Sequence, residues 1–280
     1  MISSNRNFAV CNLCPHHCHL KEGASGICRA RKCVEGKVVS SSYGNLSALA
    51  LDPIEKKPLY HFHKGSQILS VGSFGCNLKC PFCQNYEISM GTSTHDNYYA
   101  PDDIVDLALK LKHECGNIGV AFTYNEPLIS YEYVLDTARL LKQADLCTVL
   151  VTNGTICEEP FLALLPYIDA LNIDLKAFSP HFYRKIKGDF DTVLNNIRLA
   201  HEFSHVEITT LVIDGVNDSD EDMERECQFL CSIDKEMPLH LSRCFPRYRW
   251  SHIRITPYET LDRLLGIAQK YLHHVYLGNV

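Results

Sequence analysis

No stretch of this 280-residue sequence approaches the eighteen or so apolar residues that a membrane-spanning helix needs. The opening MISSNRNFAVCNLC has neither an apolar h-region nor a small-residue cleavage site. The reading that follows is a cytoplasmic protein with no membrane partner. Charge of one sign is also scarce. The 27 Lys and Arg against 33 Asp and Glu leave a net charge of −6, so bulk electrostatics do not point to nucleic acid. With 15 Gly, 12 Pro and no internal repeat, collagen-like and low-complexity chains are excluded, while 46% hydrophobic residues supply a full core. The length suits one large domain, or one plus an appendage.

Cysteine is in excess. Fourteen in 280 residues exceed ordinary usage, yet fall short of the roughly 8–10% of a small disulfide scaffold. In a reducing compartment, clustered cysteines read first as metal ligands or catalytic thiols. Cys11, Cys14, Cys18, Cys28 and Cys33 crowd the first 33 residues, Cys76, Cys80 and Cys83 form a second group, and six are scattered. Residues 1–65 show no sustained helical period and read as a small N-terminal cysteine-rich, metal-binding module. The charge is uneven too. Residues 1–66 carry nine Lys or Arg against four acids, so the front section either docks an acidic partner or is a solvated basic face.

From about Gln67, short β-rich runs alternate with helical stretches, the mark of successive βα units on a parallel sheet. Strands are expected near Gln67–Ser73, Ile118–Tyr124, Cys147–Thr152, Ala170–Leu175, Val206–Ile213 and Pro238–Ser242, with a further one beginning at Val275–Leu277. Asp102–Glu114 is the clearest helix: Pro101 and paired acids open it, Ile104, Ala108 and Leu111 share a face, and Gly116 follows. Residues 66–280 give about 36 residues to each of six units, against about 250 residues for a closed eight-unit barrel. The fold class is therefore α/β, a partial (β/α)6 TIM-type barrel over 66–280. A doubly wound sheet has the same periodicity.

Cys76-Asn-Leu-Lys-Cys80-Pro-Phe-Cys83 follows the first expected strand, at the carboxyl end where such folds place ligands. A structural zinc takes four ligands, so three thiolates in one loop suggest a [4Fe–4S] cluster with one iron open; a zinc completed from elsewhere, or buried thiols, are the alternatives.

This loop, with Phe82 just before its third cysteine, resembles that of the radical S-adenosylmethionine (SAM) superfamily, and the likeness covers residues 66–280. Within relatives of the pyruvate formate-lyase activating enzyme, the strings DPIEKKPLYHF (Asp52–Phe62), SFGCNLKCPFCQNYEIS (Ser73–Ser89), FTYNEP (Phe122–Pro127), VTNG (Val151–Gly154), IDLKAF (Ile173–Phe178) and GVND (Gly215–Asp218) resemble the AmmeMemoRadiSam-system radical SAM enzymes. In that group the chain commonly continues past Gly278-Asn279 into a small cysteine-rich tail. The resemblance implies that the open iron chelates the amino and carboxylate groups of SAM. A reducing donor of flavodoxin or ferredoxin type then drives cleavage of the sulfonium, and a 5′-deoxyadenosyl radical abstracts hydrogen from a peptide, protein or small molecule. Two rival readings are an activase that takes hydrogen from a glycine of a partner protein, and a non-catalytic iron–sulfur or zinc scaffold.

Position by position, Glu126 matches the acid of the family's Gly-Gly-Glu motif that holds the methionine ammonium, with Tyr124 and Asn125 in place of the glycines. Thr152 and Asn153 offer short polar side chains to ribose or carboxylate oxygens, although Asn-Gly also favours a turn. Asp174 and Lys176 share one face of the fourth strand and match positions that hold the cofactor or a nearby cation. His240 matches a cofactor-contacting histidine, with a structural histidine as the alternative. The arginine that some activating enzymes place on the fifth strand is absent; Glu207, Thr209 and Thr210 stand there, leaving carboxylate recognition to Lys176 or hydroxyls.

Cys11-x2-Cys14-x3-Cys18-x9-Cys28, with His16, His17 and His19 interspersed and Cys33 as an alternative ligand, suits either a structural zinc or a second, closed iron–sulfur cluster. The basic and aromatic run from Arg243 to Arg254 is expected near the barrel mouth, where an anionic or extended substrate would meet it. Cys227 and Cys231 read as packed, and Cys244 as a hydrogen-atom donor to watch.

Overall fold

The computed structural model describes residues 8–91 and 97–280. The first seven residues of the opening segment, on which the absence of a leader was read, lie outside these. Two short antiparallel pairs come first: β1 (Phe8–Val10) with β2 (His19–Lys21), and β3 (Arg31–Val34) with β4 (Lys37–Ser40). An eight-stranded sheet follows, built from β5 (Ala48–Pro53), β6 (Gln67–Gly72), β7 (Asn117–Phe122), β8 (Cys147–Thr152), β9 (Ala170–Asp174), β10 (His205–Val212), β11 (Leu239–Arg243) and β12 (Val275–Gly278). The strands lie in chain order, and β6 to β12 are parallel. No pairing joins β12 to β5, so the sheet stays open, as a partial barrel does.

All six expected strands are present within about two residues of their expected ends, and β12 is a seventh parallel strand. The eighth was not foreseen. β5 runs antiparallel on the edge of β6, with Ala48 opposite Gly72 and Pro53 opposite Gln67. Its Leu49 and Leu51 are exposed and carry no inward apolar stripe of their own. Only the neighbouring strand makes this segment β. The sheet thereby recruits a strand from ahead of residue 66.

Parallel strands here are buried on both faces, which is why their sequences read as near-continuous apolar runs. One face, with Leu69, Val71, Val120, Phe122, Leu150 and Leu171, packs in the same core as Ile104, Ala108, Val134, Leu141 and Phe161 of the helices. The other face carries Ile68, Ala121, Val149 and Ala170, capped by Ile54 and Leu59 from the segment after β5. That plug closes the amino ends of the strands and leaves the carboxyl ends for chemistry. The helix Pro101–Cys115 stops at Gly116, whose φ of 71° is the left-handed C-cap that glycine supplies without strain. Among the described residues, no helix is long and apolar enough to cross a membrane.

Candidate active site

The loop after β6 carries Cys76, Cys80 and Cys83, and all three thiols line one cavity of about 330 Å³ at the carboxyl ends of the strands. Its base is tied to the next strand: Ser73 N–H donates to Asn125 Oδ1 (3.0 Å), and Asn125 Nδ2 donates to Gly75 O (3.1 Å). Asn125 thus holds the loop, a role its motif position did not reveal. Burial pushes the Cys80 thiol up to about 12, although Lys176 opposes this, and lifts Cys76 well above the ordinary thiol value. Leu78 N–H (3.4 Å) and Asn153 Nδ2 (3.7 Å) point at Cys76 Sγ, ready to stabilise it as a thiolate. Phe82 is buried beside Phe182 and Trp250 and forms one wall.

Glu126, just past β7, faces the same cavity and is buried. Its Oε1 accepts from Leu128 N–H (3.0 Å) and Thr152 Oγ1 (2.7 Å), and its Oε2 from Asn153 N–H (2.8 Å). Burial raises its carboxyl to about 7 even against these three bonds. A carboxylate has about four acceptor positions, so one remains for an incoming cation. Thr152 and Asn153 line the cavity, where Thr152 Oγ1 and the Asn153 N–H hold Glu126. The reason is local: a buried carboxylate draws the nearest hydroxyl and N–H at the end of the adjoining strand, while Asn153 Nδ2 turns to Asn77 Oδ1 and Cys76 Sγ.

Asp174 and Lys176 both reach the cavity, paired at 2.7 Å (Nζ to Oδ2), so this lysine is already engaged. Thr209 lies beside them, with its buried Oγ1 lacking a hydrogen-bond partner among the described residues. A second ion cluster was missed. Asp52 accepts from Lys56 Nζ (3.0 Å), Lys57 Nζ (2.9 Å) and Tyr124 Oη (2.9 Å), which hold its carboxyl far below the ordinary range despite burial. Lys56, Lys57 and Tyr124 line the cavity, and Tyr124 keeps a left-handed φ of 73° that a non-glycine residue adopts only under constraint. The only sequence signal for this cluster was the string DPIEKKPLY, which spacing alone did not connect to Tyr124.

His240 does not line the cavity. Its Nε2 lies 2.6 Å from Glu207 Oε2, and its ring packs on Tyr60 and Tyr276. Glu207 also accepts from His205 Nε2 (2.9 Å) and from the N–H groups of Tyr60 (3.0 Å) and His61 (2.8 Å). A fully buried carboxylate on the neighbouring strand claims the imidazole, so the structural alternative describes this residue. Cys244 is buried off the cavity, and Cys227 packs on Met223. The Arg243–Arg254 run does meet the loop: Trp250 N–H donates to Pro81 O (3.1 Å), and Tyr248 stacks on Tyr86 at 4.6 Å.

Cys11, Cys14 and Cys28 are buried and Cys18 is half-buried, and none of the fourteen cysteines is disulfide-bonded. Among the described residues, no three His, Cys, Asp or Glu side chains converge on a single metal ion. The thiols of the loop border a cavity rather than closing a shell. Three soft donors, N–H groups aimed at one of them and open space in front fit an iron–sulfur cluster with a ligand beside it.

An open α/β sheet with a three-cysteine loop after its first parallel strand, and a buried acid after the second, defines an enzyme that couples an iron–sulfur cluster to SAM. Residues 70–227 match the radical SAM superfamily, and the chain belongs to it. It is 37% identical over 280 residues to the uncharacterized protein MJ0808 of Methanocaldococcus jannaschii, covering 98% of this chain and 82% of that one. Similarity extends to the pyruvate formate-lyase 1-activating enzyme of Escherichia coli K12, at 25% identity over 72% of this chain and 88% of that one. The crystal structure of a radical SAM methyltransferase from Sphaerobacter thermophilus shares the fold, with a TM-score of 0.58, 16% identity and coverage of 77% and 67%. SAM-dependent radical catalysis follows from membership.

Proposed function

We propose that this radical SAM enzyme abstracts a hydrogen atom from a polypeptide, with activation of a glycine in a partner protein as the favoured reaction. The observation that carries the reading is the single cavity uniting three thiols, Glu126 and the Asp174–Lys176 pair. The similarity to an activating enzyme over most of that enzyme's length supports the substrate class. When bound, the cluster and SAM supply one low-potential electron and the 5′-deoxyadenosyl group. Cys76, Cys80 and Cys83 would hold the cluster. Glu126 would take the methionine ammonium on its free acceptor position, and Asp174 with Thr209 would offer acceptors to ribose hydroxyls. Phe82 and Trp250 keep water from the wall behind the loop.

Further parts of this reading are a cytoplasmic setting, a flavodoxin- or ferredoxin-type donor, and a division at residue 65 into a cysteine-rich module, which lends the edge strand β5 to the sheet, and the catalytic region. The likeness of six motif strings supports reading the chain as an AmmeMemoRadiSam-system enzyme. Cys11, Cys14, Cys18 and Cys28 would hold a second metal centre, zinc or iron–sulfur. The test is anaerobic: reduced, reconstituted protein is mixed with SAM and a soluble extract of its own cells, and the products are followed by EPR and mass spectrometry. A stable glycyl radical on a second protein supports activation. A mass change on a peptide or small molecule with no stored radical moves the reading to direct modification. Absence of 5′-deoxyadenosine would sink both.

A further inference from the structure

The charges that line the cavity are unevenly spent. Glu126 keeps an acceptor position for a cation, and Asp174 balances Lys176, but Lys56 and Lys57 share the single carboxylate of Asp52 and leave one positive charge over. The cluster is held by Tyr124. At a left-handed φ of 73°, this residue lays its ring over Gly72, where a Cβ would lie 2.7 Å from Tyr124 Cδ2. Asn85 Nδ2 donates to the carbonyl of Tyr124 (2.7 Å) and fixes the bend. So placed, Tyr124 donates its hydroxyl to Asp52 Oδ2 (2.9 Å) and offers its ring face to Lys57 Nζ, 5.0 Å from the ring centre.

The Lys57 side chain is only 3% exposed, yet it lines the cavity. An ammonium carries three donors, and among the described residues Asp52 Oδ2 is the one hydrogen-bond acceptor that Lys57 Nζ meets. Burial pushes this ammonium down from its ordinary value against the pull of Asp52, so a second anion beside it would be stabilising. The Lys56 side chain is 66% exposed and can swing from Asp52 toward an incoming group. Position separates these lysines from the groups given to SAM. Glu126, Asp174 and Thr209 stand after β7, on β9 and on β10, whereas Lys56 and Lys57 follow β5, one free edge of the open sheet. Asn279, just past β12, lines the same cavity from the other free edge. The space between the edges lies beside the cofactor's groups, where a substrate must lie to lose hydrogen. One surplus positive charge matches one carboxylate; a phosphoserine, near −2, exceeds it.

We propose that Lys56 and Lys57, set in place by Asp52 and Tyr124, bind the carboxylate of an aspartate or glutamate side chain in the polypeptide substrate, close in sequence to the residue that loses hydrogen. This recognition presupposes the polypeptide substrate proposed above. Lys57 supplies a fixed, desolvated ammonium and Lys56 a mobile one, and their charge-assisted hydrogen bonds fix which carbon of the substrate faces the cofactor. An amide of the same shape would lose the charge and with it most of the binding.

The full chain, reconstituted anaerobically and saturated with SAM, is immobilised and offered three pools of amidated peptides with a central glycine. Randomised flanking positions carry Asp and Glu in the first pool, Asn and Gln in the second, and phosphoserine in the third; retained peptides are identified by mass spectrometry. Wild type is expected to hold the acidic pool at least about tenfold better than the amide pool. Lys57→Gln and Lys56→Glu should each erase that preference, with the SAM Kd from calorimetry unchanged. Lys56 is exposed, so its variant carries the test if Lys57→Gln fails to fold. Equal retention of the acidic and amide pools, or of none, overturns the proposal, and so does a preference for phosphoserine. A SAM Kd that weakens together with the preference assigns the lysines to the cofactor and overturns it as well. The reading beneath it fails separately: a wild-type EPR signal of the loop that SAM does not shift, or 5′-deoxyadenosine release with only a small-molecule product, overturns the polypeptide reaction itself.

Discussion

The loop at Cys76–Cys83 and the knuckle at Cys11–Cys28 use the same residue type in opposite settings. The loop's thiols border a cavity with a buried acid and an ion pair across from them. The knuckle's thiols are enclosed by hairpins and by the back of the loop. An open face lets a metal centre bind a second ligand and do chemistry, whereas a closed one limits it to structure or electron passage. The difference between them is therefore testable residue by residue. The largest effect belongs to Cys80→Ala, which should cut SAM cleavage by at least about 10³-fold if the loop holds the cluster as proposed. The assay is 5′-deoxyadenosine release under dithionite; comparable loss in Cys14→Ala would erase the functional contrast between the two sets.

Gly75→Ala probes the seam between them. The added methyl meets a backbone oxygen that cannot swing away, and a left-handed φ penalises alanine as well. The expected cost is about 2–4 kcal/mol, read by denaturant unfolding, with iron lost from the loop. Unchanged stability would mean that the knuckle and loop move apart freely.

Much of this was legible in advance, for reasons particular residues make plain. Strands β6 to β11 announced themselves through apolar runs ending in turn residues, and the loop through cysteine spacing that no core requires. Glu126 was legible only through its motif. Its three donors come from residues two, twenty-six and twenty-seven positions away, and no periodicity encodes that convergence. His240 misled because an imidazole at a strand end fits a ligand or a carboxylate equally well, and the carboxylate of Glu207 lies on another strand. β5 was hidden for a related reason: an edge strand draws its structure from its neighbour, not from its own pattern.

Those two buried acids supply the next, smaller effect. Glu207 lies at about 2 because, against burial, two histidines and two N–H groups favour its charge; its share of stability is present above the unfolded 4.5 and is lost as pH falls toward 2. Glu126 behaves oppositely. Raised from 4.5 to about 7, it contributes most below 4.5, and that share is lost as pH rises through about 7. A SAM ammonium beside it requires the ionised form, so binding releases a proton and the Kd rises by up to about tenfold per unit below pH 7. Glu126→Gln should bind SAM about 10- to 100-fold more weakly with no pH dependence in that range. Calorimetry in buffers of different ionisation heat checks both; a pH-independent wild-type Kd would remove Glu126 from the ligand.

The smallest effect concerns how the knuckle is fastened. Arg31, on β3, donates through both terminal nitrogens to the Glu132 carboxylate at 2.7 Å each, and also to Ile129 O at 3.2 Å. Glu132 is partly exposed, which weakens the charge contribution but not the two-pronged geometry. Arg31→Lys keeps the charge and loses the fork, so about 1 kcal/mol and a fall of about 2–4 °C in Tm are expected. Hydrogen exchange should quicken over residues 8–40, while the SAM-shifted signal of the loop stays unchanged. If exchange quickens equally at Cys76–Cys83, the fork secures the catalytic loop as well, and the knuckle and loop respond as one unit.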